Sequence, residues 1–261
     1  MTVSDPAQRP SRILVVNPNT SVFVTKRLEA ILSRLNLPNI HVTYWTCPTG
    51  PSIIKTVADM YESTAHCMPL LLEIIDDYDG FLGACYADHP LTRLLQSYAG
   101  DKPVVGVFDA SINAALHLVG PGSKFSILTT GSAFESLLRQ GVEQLLRHNE
   151  PQLTKFGGVT ASGIGLRDLL PESREQAREK VLAAVTDILR SEKRETEVIV
   201  MGGVILAGME DWVHEACELE LGEVRGAQIK VVDQLRAAML TLHAVVGRKE
   251  PSLIDFEGAL V

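Results

Sequence analysis

Cysteine is scarce in this chain and lacks the spacings that make it structural. Cys47, Cys67, Cys85 and Cys217 are the four among 261 residues, and no two are spaced C-x-x-C. That excludes a zinc ribbon and a small disulfide framework, and it points to a reducing, cytoplasmic compartment. His66 and Cys67 are adjacent, which is not metal-ligand spacing, and His117, His148, His214 and His243 are scattered with no H-x-x-x-H pair. No metal is therefore expected. Apolar runs long enough to span a membrane are missing as well. Residues 1–11 are polar and contain proline without a secretory apolar core, so they read as a flexible tail. The formal net charge is −8, with no Lys/Arg cluster to offset it. Nucleic acid is an unsuitable partner for such a surface. The basic residues from Arg190 to Arg194 are interleaved with acids and read as a solvated face. Phosphate-binding glycine loops are absent, and Gly163-Ile164-Gly165 lacks the third glycine of a dinucleotide fingerprint. No nucleotide cofactor is expected, and without a G-x-S-x-G elbow neither is a serine hydrolase.

What remains is an ordinary globular composition, 46% apolar and 21% charged. Short β-branched runs alternate with longer amphipathic ones. Strands are predicted at 13–16, 40–46, 81–82 and 104–107, with helices over 22–35 and 52–76. The second half repeats this order, with strands at 125–128, 157–161, 198–201 and 230–233. Its helices are predicted over 135–148, 172–191, 213–221 and 235–246. This alternation predicts α/β architecture: two similar lobes, each a parallel sheet flanked by helices, with a cleft between them. Residues 12–108 with 217–247 are assigned to the first lobe and 109–216 to the second. The strand at 13–16 corresponds to that at 125–128, and the strand before Cys85 to the strand before Gly203.

Chemistry is expected at the strand ends, which line the crevice of open α/β sheets. Asn17-Pro18-Asn19-Thr20-Ser21 closes the first strand. It reads both as a helix cap and as a set of donors for a carbonyl or carboxylate. Thr129-Thr130-Gly131-Ser132 occupies the equivalent place in the second half. Thr49-Gly50-Pro51-Ser52-Ile53 follows the second strand, with Ile53 as a candidate apolar wall. Gly83-Ala84-Cys85-Tyr86-Ala87-Asp88-His89-Pro90 lies where a strand passes into a helix. There a thiolate would be favoured by the helix N-terminus, although Asp88 and His89 could simply cap that helix. The other cysteines fall inside strand or helix patterns and read as filler.

Taken in order, Val16-Asn17-Pro18-Asn19-Thr20-Ser21, Thr49-Gly50-Pro51-Ser52-Ile53, Gly83 to Leu91, Leu128-Thr129-Thr130 and Val200-Met201-Gly202-Gly203 resemble the Asp/Glu/hydantoin racemase superfamily. The resemblance spans residues 12–246 and is strongest to the hydantoin and allantoin racemase branch. It implies a cofactor-independent isomerase acting on a small molecule such as allantoin or a 5-substituted hydantoin. In that family two cysteines face each other across the cleft, one removing a proton and the other returning one. A homo-oligomer is also implied. The first cysteine maps onto Cys85. The second maps onto Gly203, which has no proton to exchange. The following Val204-Ile205-Leu206-Ala207-Gly208-Met209 is longer than the family's Ala-Gly-Met continuation. Three explanations are open: a Cys→Gly substitution that traps substrate, a natural one-cysteine relative, or a binder without turnover. Arylmalonate decarboxylases of the superfamily carry glycine at one of the two positions. The first explanation is preferred, because the rest of the chain looks like the hydantoin branch. The resemblance further implies backbone donors near Tyr86, Thr130 and Val204, with Asn17 and Thr129 holding the ring edge and a thiol lowered towards neutrality.

Overall fold

A computed structural model describes residues 9–191 and 195–247. The first half of the chain runs β1 (Ser11–Asn17), α1 (Val22–Leu32), β2 (Ile40–Thr46), α2 (Val57–Ile74), β3 (Gly80–Gly83), α3 (Pro90–Tyr98), β4 (Val104–Gly106) and α4 (Val107–Leu118). The second runs β5 (Lys124–Thr129), α5 (Glu135–Leu146), α6 (Glu150–Leu153), β6 (Phe156–Ala161), α7 (Arg174–Ser191), β7 (Thr196–Gly202), α8 (Glu210–Leu221), α9 (Glu223–Gly226), β8 (Lys230–Asp233) and α10 (Gln234–Val245).

The strands form two four-stranded sheets, ordered β2-β1-β3-β4 and β6-β5-β7-β8, with every pairing parallel. The two orders are the same when β5–β8 are renumbered as β1–β4. The correspondence expected from the sequence is therefore real at the level of topology. β1 and β5 are the first central strands, and β3 and β7 lie beside them.

Alternating side chains divide each sheet between two helical layers. Ile13, Val15 and Leu82 pack with Leu28 of α1 and with Leu235, Ala238, Met239 and Leu242 of α10. Leu14, Val16 and Phe81 face Leu71 of α2 and Leu91 and Leu95 of α3. In the second lobe, Leu128, Ile199 and Met201 meet α7 and α8. Phe125, Ile127, Val198 and Val200 meet α4 and α5.

Several expectations need correction. Helix α4 has no counterpart in the sequence reading. It follows β4 without a side-chain cap, and Val107 and Phe108 carry the apolar run of β4 on into its first turn. Its Val107 and Ala110 join the first-lobe core, while Phe108, Ile112 and Ala115 join the second. The stretch 217–247 does not stay with the first lobe. Cys217 packs in the second-lobe core and β8 completes the second sheet, so the chain returns only with α10. α2 begins at Val57 because Thr56 and Asp59 form a capping box there. Residues 1–8 of the expected tail, and 192–194 of the charged run, lie outside the described residues. Ser11 already belongs to β1, and Arg9 pairs with Asp79 at 2.7 Å. Among the described residues no helix is long and apolar enough to cross a membrane.

Candidate active site

The loop after β3 holds Cys85 in a succession of tight turns. Ala84 donates its N–H to Val16 O at 2.9 Å, Ala87 to Cys85 O at 3.0 Å, and His89 to Ala87 O at 2.8 Å. α3 starts only at Pro90, and its first free N–H, that of Leu91, is taken by Nδ1 of His89 at 3.2 Å. The thiol thus sits a full loop away from the helix end. Its surroundings are apolar: Ile54, Met60 and Ala87 of the first lobe and Leu137 of α5. Burial in this cluster pushes the Cys85 thiol up to about 12. The expected lowering is not what the structure has, since among the described residues no charged group offsets desolvation at the sulfur.

Tyr86 crosses to the other lobe. Its ring stands edge-on to Phe108 at 5.5 Å, and its hydroxyl lies 3.3 Å from Ser111 Oγ. The ring fills the space above Gly202, where an added Cβ would come within 2.4 Å of Tyr86 Cε1. The loops after β3 and β7 are therefore in contact through the residues next to Cys85 and Gly203. Gly203 has φ +130°, a region that L side chains rarely adopt. An added Cβ would meet Thr130 Cγ2 at 3.4 Å, an ordinary contact.

The two strand-end residues Asn17 and Thr129 turn inward. Asn17 is fully buried, and its amide donates to Ser21 O and Thr25 Oγ1, both at 3.0 Å. Thr129 Oγ1 donates to Gly202 O at 3.2 Å. Both side chains shape the loops of the site and have no hydrogen left over for a ring edge. Thr130 keeps its methyl against Gly203, and its carbonyl accepts from Gly163 N–H at 2.7 Å. Ile53 is exposed. The wall expected from it is supplied by the next residue, Ile54, which is buried beside Cys85. The backbone N–H groups of Cys85, Tyr86 and Val204 donate to no other described residue. They are available to an oxygen carrying developing negative charge.

The remaining cysteines are buried. Cys47 Sγ donates to Thr49 O at 3.1 Å and Cys67 Sγ to Pro18 O at 3.6 Å, beneath the same loops. Among the described residues no group of three or more His, Cys, Asp or Glu converges as a metal site.

Sequence reasoning missed Met60, Leu137 and Arg27. Arg27 of α1 donates Nε to Val204 O at 3.0 Å and Nη2 to Ile205 O and Ala207 O at 3.1 and 2.9 Å. It clamps the loop that begins at Gly203 onto the first lobe. Nothing local marks such a residue, because its partners lie about 180 positions away.

A model of the Asp/Glu/Hydantoin racemase family matches residues 13–242. An uncharacterized protein of Schizosaccharomyces pombe is 32% identical over 237 residues, covering 90% of this chain and 92% of its own. Hydantoin racemase from Pseudomonas sp. (strain NS671) is 25% identical over 256 residues, covering 94% of this chain and 91% of its own. Among solved structures, allantoin racemase from Pseudomonas fluorescens superposes with a TM-score of 0.72 at 23% identity, over 90% of both chains.

Proposed function

Because the chain belongs to the Asp/Glu/hydantoin racemase family, and within it to the hydantoin/allantoin branch, we propose that it catalyses cofactor-independent proton transfer at the acidic carbon of a hydantoin-type ring, with Cys85 as its one thiol. The supporting observation is the placement of Cys85 and Gly203. They follow equivalent strands, β3 and β7, in two lobes that touch through Tyr86 and Gly202.

The C5–H of a hydantoin lies between a carbonyl and a ring nitrogen. The minor ionised form of Cys85 takes that proton and becomes a thiol, and the electron pair moves onto the C4 oxygen as an enolate. Free N–H groups of Tyr86 and Val204 would stabilise the oxygen, and one such donor is typically worth about 3 kcal/mol of barrier. The thiol then returns a proton to C5 and is a thiolate again. The second face has no thiol at residue 203, so the proton goes back to the side it left. Incubation of a single enantiomer of a 5-substituted hydantoin in heavy water tests this. Deuterium enters C5 with configuration retained, and Cys85→Ala abolishes uptake. Rapid inversion would show that another acid serves the second face.

Gly203 adopts φ +130°, a backbone conformation in which a cysteine would be strained. This supports a second reading, a one-cysteine decarboxylase that protonates the enolate left by a departing carboxylate. Carbon dioxide release from a 2-aryl-2-methylmalonate, without exchange into any hydantoin, would select it.

A further inference from the structure

A cavity of about 330 Å³ lies behind the Gly203 loop and shares no lining residue with the apolar cluster around Cys85. One wall is α1 with Arg27, another is the segment from Asp168 to Pro171, and the third is Met209 with Trp212 at the start of α8. Arg174 stands at its mouth with its guanidinium 5.3 Å above the Trp212 ring. Among the described residues, no carboxylate pairs with Arg174, and Nη1 of Arg27 has no hydrogen-bond partner. The nearby acids are already engaged. Asp168 holds Lys180 at 2.6 Å and Gly165 N–H at 2.8 Å, and Glu210 accepts from Gly208 N–H at 3.2 Å. The lining therefore combines two guanidinium groups that no carboxylate answers, the engaged carboxylate of Asp168, the Trp212 indole beneath Arg174, and leucine and proline side chains. The size falls within the range of small-molecule sites.

We propose that this cavity binds a small carboxylate with a planar apolar body, as a site separate from the reaction cleft. The carboxylate would bridge Arg174 and the free edge of Arg27, and the ring would lie against Leu170 and the edge of the Trp212 indole. Arg27 also holds the carbonyls of Val204, Ile205 and Ala207, so an occupant would tighten the clamp between α1 and the loop that carries Gly203.

Calorimetric titration of the whole chain with phenylacetate tests the proposal, with phenylacetamide as the uncharged control. One phenylacetate binds per chain, and the amide binds about tenfold or more weakly, since the charge-assisted bonds are lost. Arg174→Gln, at an exposed side chain, and Trp212→Leu each weaken binding by about tenfold. Cys85→Ala and saturating 5-benzylhydantoin leave it unchanged. Equal affinity for acid and amide overturns the proposal, as does indifference to Arg174→Gln or the absence of saturable binding at millimolar concentration. Displacement by the hydantoin, or loss in Cys85→Ala, places the probe in the reaction cleft and overturns it too. None of these readouts depends on turnover at Cys85, so the proposed reaction and this site fail independently.

Discussion

Cys85 carries its proton at rest because Ile54, Met60 and Leu137 offer it hydrocarbon and no counter-charge. With the thiol pushed up to about 12, the thiolate fraction rises as pH rises across the whole usable range. Alkylation of the free protein by iodoacetamide at Cys85 should therefore climb about tenfold per pH unit from 7 to 10 without a plateau. A plateau near pH 8 would mean that a cation or an amide reaches the sulfur in solution. The opposite residue poses a question of backbone strain. Gly203→Cys has room for its side chain, yet places a β-carbon at φ +130°. It should cost about 1–3 kcal/mol in urea denaturation while adding a second thiol to the cleft. If that thiol reaches the ring, single-enantiomer exchange turns into racemisation. At Gly202 there is no such room. Gly202→Ala collides with the Tyr86 ring and with Ile127, and should lower stability by about 1–3 kcal/mol through overpacking.

At the level of elements, the starts of α3 and α4 hold two titrating groups of opposite sign. Burial lowers His89 to about 4 from 6.5, so its contribution is fully present above pH 6.5 and fades as pH falls towards 4. Burial, with repulsion from Asp88, raises Asp109 to about 6 from 3.8. Its contribution is present at acid pH and is lost as pH rises through 6. The two oppose each other across the interval from 4 to 6. Asp109→Asn removes one of them. Stability at pH 7.5 should then rise by about 2 kcal/mol, and the loss between pH 6.5 and 4 should steepen. Urea midpoints at four or five pH values measure both effects, and unchanged midpoints would refute the burial of a charged Asp109. The elements themselves were largely legible in the sequence. β1, β5 and β7 are short β-branched runs ended by polar or glycine residues, and α7 carries Ala177, Val181, Ala184, Val185 and Ile188 at helical spacing. α4 was not legible. It is buried on several faces between two cores, and Val107 and Phe108 extend the strand run of β4.

For the molecule as a whole, the two lobes are joined by more than the covalent crossings at α4 and α10. Tyr86 seals one contact at Gly202, and Arg27 ties the loop at 204–207 to α1. Arg27→Ala strands three carbonyls that were bonded to a charged donor. It should lower stability by about 2–3 kcal/mol and speed hydrogen exchange in residues 204–209, with β5 still protected. Uniform exchange throughout the chain would show that the clamp is not local.

The order of residues alone carries the repeated α/β pattern and places Cys85 and Gly203 after corresponding strands. Periodicity, caps and turn residues act over a few positions, and those signals are local. Only the folded molecule decides the protonation of Cys85, the inward turn of Asn17 and Thr129, the substitution of Ile54 for Ile53, and the return of the chain at α10. Each depends on which distant side chains exclude water from a given atom, and neighbours brought together by the sheets leave no mark along the chain.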